Sequence, residues 1–291
     1  MITITGATGN YGRLVIDFLL KKGYQAGQIR AVLRDRSKGE DLMKKGVKIA
    51  VGNYDDYNSL LTAFAGTDKL LFISGSDVAR RGKQHENVVA AAKECGVKHI
   101  VYTSFQRIND TETSPIALVA RAHIDTEKQI KLSGMDYTIL KNTLYLDGLP
   151  SFLGNNVAET GIFFPAGKGS GAFATRSDMA EATSEVLKGR GHENKDYLFS
   201  NSESVTFSDI ADLLSGIFGK TIKYTDPGNQ LFRETMAVAG LPEPVIAIFA
   251  GLGAAISQGE FSRTGFDLEK LLGRNPASVK EFLTNYYSSN R

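Results

Sequence analysis

The chain of 291 residues has one cysteine, no tryptophan and only four histidines. A single thiol, Cys95, excludes an intrachain disulfide and points to a reducing, cytoplasmic setting. It ends a predicted helix in AAAKECGVKH, where no supporting motif makes it a nucleophile, so it reads as a structural thiol. The histidines are scattered and none has metal-ligand spacing, so no metal centre is expected. No excess of one charge exists either. A net charge of +2 and a pI near 8.4 give no warrant for nucleic acid or an anionic membrane as the main partner. Long apolar runs are missing. The most apolar stretch, VIAIFAGLGAAI at Val245–Ile256, is interrupted by glycines and falls short of the roughly 20 residues that cross a bilayer. It is expected to be a buried helix or a lid over an apolar site. The first glycine is already residue 6, so no signal peptide is expected ahead of it. With 42% hydrophobic and 23% charged residues, what remains is a soluble globule with a sizeable core.

Short β-type runs alternate with helical ones through the first half. Strands are predicted at Ile2–Thr5, Ile29–Leu33, Val47–Val51, Lys69–Ile73, His99–Thr103 and Tyr137–Leu140. Between them, helices are predicted at Tyr11–Lys22, Gly39–Lys45, Tyr57–Phe64, Gln84–Glu94 and Ala120–Leu132. Runs such as KLLFIS and YTIL are apolar on consecutive residues, the pattern of strands covered on both faces and hence of a parallel sheet. Repeated βα units of this size predict an α/β, Rossmann-type doubly wound sheet. After Asn142 the rhythm breaks into loops and short helices. The division expected is residues 1–142 as the nucleotide-binding domain and 143–291 as a smaller substrate lobe. Asp178 with Glu181, and Thr206 with Asp209, look like helix N-caps.

Against this background the opening stretch, MITITGATGNYGRL, acquires a purpose. Gly6 permits the turn that ends the first strand, Gly9 lets backbone approach a ligand, and Gly12 lets the following helix pack closely. The helix N-terminus then presents free N–H groups and a partial positive charge to a diphosphate. The second strand ends AVLRDRSK, placing Arg34, Arg36 and Lys38 within five residues. Arginine at this strand end suits a ribose 2′-phosphate, whereas an acidic residue suits the free hydroxyl. NADPH is therefore the expected cofactor, with Asp35 as the conflicting residue. Ligands of such sheets bind at the carboxyl ends of the strands. Ser74, Gly75 and Ser76 at the fourth strand, and Thr103 and Ser104 at the fifth, continue the expected path.

Short-chain dehydrogenases pair a tyrosine and a lysine as Y-x-x-x-K. Only Tyr137 has lysine four residues on, at Lys141 in YTILK. That segment reads as a strand, along which four residues span about 13 Å, too far for a coupled pair. The helix reading ARAHIDTEKQI has His123 and, five residues on, Lys128; five residues turn a helix by about 500°, so the two do not share a face. No catalytic acid is assigned. His123 is the sole candidate, and a lone helical histidine is more often structural. ARRGK, with Arg80, Arg81 and Lys83, reads as a solvated loop leading into a helix.

Together these residues resemble a family. The chain is similar to the NmrA-like branch of the atypical short-chain dehydrogenases, and within it to bacterial NADPH:quinone oxidoreductases of type 2 and triphenylmethane-dye reductases. The resemblance covers nearly the whole chain. It rests on GATGNYG at 6–12, Arg34, FISGSD at 72–77, QHENVV at 84–89, YTS at 102–104, AHIDTEK at 122–128, YTILKN at 137–142 and ATRSDMA at 174–180. It implies NADPH across the strand ends, with contacts from Gly6, Ala7, Thr8, Gly9, Asn10 and Tyr11, from Arg34, from Ser74–Ser76, and from the stretch Tyr137–Asn142. Gly12 and Lys38 complete the expected cofactor set. The resemblance also implies loss of the tyrosine–lysine dyad. One departure stands out: Thr143 and Leu144 replace the glycine and tryptophan of the quinone reductases beside the substrate.

The expected activity is hydride transfer from NADPH to a quinone or a similar flat conjugated acceptor. Its product oxygens are weak bases that water can protonate, and no flavin motif intervenes. The rival reading is an NADP(H)-binding redox sensor with little catalysis. A sugar epimerase or dehydratase comes third, for want of the dyad. The partner expected is a small molecule, not nucleic acid or membrane, with a homodimer as the assembly to test.

Overall fold

The computed structural model describes residues 1–154 and 156–288. In chain order the elements are β1 (Ile2–Ile4), α1 (Asn10–Lys21), β2 (Ile29–Leu33), α2 (Glu40–Lys44), β3 (Lys48–Val51), α3 (Tyr57–Phe64), β4 (Lys69–Phe72), α4 (Arg81–Glu94), β5 (His99–Phe105), α5 (Ala117–Leu132) and β6 (Asp136–Asn142). There follow α6 (Pro150–Leu153), α7 (Val157–Thr160), β7 (Ile162–Phe163), β8 (Ser170–Gly171), α8 (Arg176–Lys188) and β9 (Lys195–Phe199). The last are β10 (Val205–Thr206), α9 (Phe207–Phe218), β11 (Tyr224–Thr225), α10 (Gly228–Val238), α11 (Glu243–Ser257), α12 (Asp267–Leu272) and α13 (Val279–Ser288).

Seven strands form one sheet in the order β3-β2-β1-β4-β5-β6-β9. β1 is parallel to both β2 and β4, and β3, β5 and β6 continue the parallel ladder. The order reverses between β1 and β4. That is the topological switch of a doubly wound Rossmann fold, beside which ligands bind. Residues of β1 and most of β5 are buried without alternation, as both-face coverage requires. Phe64, Phe72, Tyr102, Ile100 and Ile139 fill the core on one face, with Cys95 packed against it. The Cys95 thiol donates to Leu61 O at 3.3 Å, a structural role as expected.

The chain divides into two compact units. The first comprises Met1–Phe105, Leu118–Asn142 and Arg176–Tyr197. The second comprises Gln106–Ala117, Thr143–Thr175 and Leu198–Arg291, as far as these residues are described. This corrects the simple division at Asn142. The chain returns after residue 175 because β9 supplies the seventh strand and α8 packs on α1. Tyr11 ties those helices: its hydroxyl donates to Met179 O at 3.2 Å and pairs with Thr183 Oγ1 at 2.8 Å. Asp178 is not a cap either. The helix starts two residues before it, so Asp178 lies in the first turn.

In the second unit, β8 pairs antiparallel with β10, and β7 pairs parallel with β11. Phe164 stacks on Phe207 at 4.9 Å, and Phe152 and Phe232 pack edge-on to it. Thr206 and Asp209 form the expected capping box of α9. Val245–Ile256 is helical as expected, within α11, burying Ile246, Ala250 and Ile256. The buried Glu260 accepts from the backbone N–H of Ile108 and Asn109 at 2.7 and 3.0 Å, organising that loop. Among the described residues no helix is long and apolar enough to cross a membrane.

Candidate functional site

At the switch point lies a cavity of about 350 Å³, contained within the first unit. Its walls come from the carboxyl ends of β1 to β4: the turn at Gly6, Thr8 and Gly9, the strand end at Arg34, Asn53 and Tyr54 after β3, and Ser74–Asp77 after β4.

The glycine turn is built from backbone. Gly6 sits at φ +60°, a conformation that disfavours a side chain. Its carbonyl accepts from Gly9 N at 3.0 Å, and Gly9 O accepts from Arg13 N to start α1. A Cβ on Gly12 would lie 2.5 Å from Gly6 O and 2.8 Å from Ala7 Cα, so only glycine lets helix and turn approach this closely. Gly9 caps α1 without a side-chain hydrogen bond, and no acidic residue stands in the first turn. The positive end of the helix therefore faces the cavity uncompensated, as an anion site requires.

Charge on the β2 side is supplied by Arg34, which forms no ion pair or side-chain hydrogen bond among the described residues. Asp35, the conflicting residue, is turned to its own loop. Its carboxylate accepts from Ser37 N at 3.0 Å and Ser37 Oγ at 2.7 Å, and these bonds hold its pKa below the usual range. Arg36 and Lys38 do not line the cavity. Lys38 is exposed on a 3-10 turn, and its carbonyl accepts from the Arg13 guanidinium at 3.1 Å.

Several wall residues escape sequence reading. Tyr54 donates to Ile73 O at 2.7 Å and its hydroxyl also pairs with Thr5 Oγ1; burial pushes its hydroxyl pKa up. Gln84 Nε2 donates to Asp55, and Arg80 pairs with Asp55 at 3.2 Å and Asp77 at 2.7 Å. The rule that ligands meet the carboxyl ends of strands was the signal available for the segment GNYD after β3. The ARRGK expectation is also corrected. α4 begins at Arg81, three residues before the predicted start, so Arg81 is a buried first-turn residue, not a solvated loop.

Of the expected cofactor residues, Gly6, Thr8, Gly9, Arg34, Ser74, Gly75 and Ser76 line the cavity. Ala7 is buried beneath the turn, Asn10 opens α1 at the surface, and Gly12 supports the turn from behind. Tyr11 points to α8, away from the cavity. Thr103 stands behind the wall, its Oγ1 accepting from Ser74 N at 2.9 Å, and Ser104 donates to Glu127. Asn142 is buried at the end of β6. Tyr137 does not line the cavity. It lies at the amino end of β6, five residues before Asn142, about 16 Å along the strand from the ligand end. Lys141, its supposed partner, pairs with Asp196 at 3.2 Å. The dyad is thus excluded by geometry, as the strand reading requires.

His123 is 5% exposed on α5. Its Nδ1 lies 2.7 Å from the Tyr102 hydroxyl, and its Nε2 faces Arg81 Nη1 at 3.4 Å. Both ring nitrogens are engaged within the fold. Among the described residues no group of three or more His, Cys, Asp or Glu side chains gathers to hold a metal.

A parallel sheet with a glycine turn, an uncapped helix N-terminus and an unpaired arginine at its switch point defines a dinucleotide-binding Rossmann protein. Residues 1–283 match the NmrA-like family, and the chain belongs to it. It is 36% identical over 293 residues to quinone oxidoreductase 2 of Escherichia coli (strain K12), covering 100% of both chains. Its structure superposes on that of the NADPH-dependent quinone oxidoreductase of E. coli complexed with NADPH, with a TM-score of 0.92 at 34% identity, covering 99% of this chain and 100% of that one. It likewise matches the Citrobacter sp. triphenylmethane reductase complexed with NADP(H), with a TM-score of 0.88 at 39% identity, covering 98% of this chain and 99% of that one.

Proposed function

We propose that the chain is an NADPH-dependent oxidoreductase that passes a hydride to a quinone or a similar flat conjugated acceptor. The observation that carries this reading is the cavity itself, where α1 and Arg34 converge on one space and the lining carboxylate of Asp77 is already taken by Arg80 at 2.7 Å. A Cβ on Gly12 would dismantle the turn, so the residues present fit a dinucleotide. The backbone N–H groups of Thr8 and Asn10 beside the turn would take the diphosphate, Arg34 the 2′-phosphate, and the small residues Ser74–Ser76 the ribose side. When bound, NADPH supplies the hydride. The family relationship to quinone and dye reductases supports the acceptor class.

The chain's own residues supply binding and orientation rather than a proton. Tyr137 and Lys141 are separated along a strand, and His123 is committed to Tyr102 and Arg81. Protonation of the weakly basic product oxygens is left to water. The reading extends to a cytoplasmic setting, on the single thiol, and to a homodimer, which sedimentation velocity would check.

Stopped-flow oxidation of NADPH against a panel of quinones and triphenylmethane dyes tests the reading. Rapid oxidation with no co-purifying flavin is expected. Tight NADPH binding without oxidation by any acceptor would overturn it and leave a redox sensor as the better reading.

A further inference from the structure

Loop 74–76 is one wall of the cavity, and its middle residue is held from both sides. Gly75 N donates to His85 Nε2 at 3.0 Å, and Gly75 O accepts from Arg81 Nε at 2.7 Å. Arg81 and His85 stand four residues apart on α4, hence on one helix face. They are 7% and 1% exposed, so neither bond competes with bulk water.

The hydrogens in this chain of bonds have one consistent arrangement. A backbone N–H only donates, so His85 Nε2 is the bare nitrogen and the ring hydrogen sits on Nδ1. Nδ1–H then donates to Thr126 Oγ1 at 2.8 Å, and the Thr126 hydroxyl donates onward to Ala122 O at 2.5 Å. Burial and the neighbouring Arg81 guanidinium push the His85 pKa down to about 3, so the imidazole stays neutral and able to accept. Arg81 is braced in turn by His123 on α5.

We propose that Arg81 and His85 are positioning residues for the dinucleotide: together they hold the Gly75 peptide as a preformed wall of the cavity. This rests on the reading of the cavity as the cofactor site. Fixing one residue's backbone in advance is equivalent to about five- to thirtyfold in an equilibrium constant, and that is the scale of the contribution to affinity. The clamp acts on the part of the cofactor that NADPH and NADH share. Gly75 follows β4 and Arg34 follows β2, with β1 between them, which separates the two wall segments by about 10 Å in the sheet. The 2′-phosphate belongs to Arg34, and the clamp is indifferent to it.

Calorimetric titration of both dinucleotides, with amide exchange at Gly75 followed by NMR in the free protein, provides the test. His85→Leu removes the acceptor. It is expected to weaken NADPH and NADH by the same factor of about tenfold and to speed exchange of the Gly75 amide. His85→Gln places a side-chain oxygen near the former Nε2 and is expected to restore most of both. If His85→Leu does not fold, Arg81→Met reads the same wall from the carbonyl side. A folded His85→Leu or Arg81→Met protein with wild-type affinity for both dinucleotides would overturn the proposal, as would a loss confined to NADPH. Failure of the wild-type protein to bind either dinucleotide would overturn the cofactor reading itself, and the clamp with it.

Discussion

The two ends of the sheet in the first unit are made on opposite plans. At the carboxyl end, polar groups converge on open space: the free N–H groups of α1, the Arg34 guanidinium and the Gly75 loop. At the amino end, charges satisfy one another. Lys98 Nζ and the Met1 amino group both bind Asp68, at 2.7 and 2.6 Å, and hold its pKa down to about 2. Asp68 O takes the N–H groups of Lys98 and His99, lacing the starts of β4 and β5 together. Lys69 Nζ donates to Gly189 O at 2.7 Å. One end stores unmet binding capacity and the other spends its polar groups on closure. Substitutions at the first end should change what the protein binds, and at the second only how firmly it folds.

The largest break comes from the turn. Gly12→Ala forces a methyl group against Gly6 O and Ala7 Cα, neither of which is a flexible side-chain tip. Overpacking of this kind costs about 1–3 kcal/mol in stability. Since the displaced atoms belong to the cavity wall, affinity for NADPH is expected to fall by more than about tenfold. Urea unfolding and calorimetry measure the two. A variant that unfolds earlier but binds normally would show that the turn is not part of the binding surface.

Next is charge. Arg34→Ala is expected to cost about 1.5–3 kcal/mol in NADPH binding, the scale of a charge-assisted hydrogen bond, and little in NADH binding. Equal losses for both cofactors in a calorimetric titration would remove the 2′-phosphate from Arg34.

How much of this end was legible in the sequence follows from what builds each wall. The turn at 6–12 is a backbone object, so glycines at the right spacing announce it. Arg34 was legible because an apolar strand ends just before it. The Gly75 loop was only half legible. Its small residues suggested room for a ligand, but what fixes it lies six and ten residues away, and then across to Thr126. Nothing local marks Arg81 as buried, and its neighbours Arg80 and Lys83 are exposed, which made the run look like a solvated loop. Tyr54 lay hidden for the same reason. Tyr11 and Tyr137 differ in the other direction, for neither lines the cavity. The helical period of α1 turns the Tyr11 side chain to α8, and the direction of β6 puts Tyr137 at the amino end of the sheet. The return of α8 and β9 to the first unit had no local signal, because strand pairing over 50 residues of intervening chain is a tertiary choice.

A smaller effect separates stability from binding at the amino end. His99 is 3% exposed; its Nε2 pairs with Thr138 Oγ1 at 2.8 Å, while its Nδ1 has no hydrogen-bond partner among the described residues. Burial first, then the charge of Lys69, push its pKa down to about 4 against the opposing charges of Glu193 and Asp136, with His192 adding the least. The unfolded chain regains an ordinary histidine near 6.5 and binds a proton that the folded chain refuses. Stability is therefore full above about pH 6.5 and falls as pH drops from there towards 4. His85, near 3, adds to the same decline. His99→Gln should make the drop in unfolding free energy between pH 7 and pH 4.5 shallower, while NADPH affinity at pH 7 stays within about twofold. An unchanged slope would mean that other groups carry the acid limb.

The smallest expected effect is at Tyr137, the one tyrosine with a lysine four residues on. Its ring lies under Lys131 Nζ at 5.4 Å, and its backbone carbonyl accepts from Asn194 N, which joins β6 to the chain entering β9. Those contacts are structural and none needs the hydroxyl. Lys141, four residues along the strand, is engaged with Asp196. Loss of a true general acid lowers turnover by about 10²–10⁴-fold. Tyr137→Phe should instead leave NADPH oxidation within about tenfold of wild type, with cofactor affinity and its preference over NADH unchanged. A loss near 10³-fold would place chemistry at the amino end of the sheet and dissolve the division between the two ends.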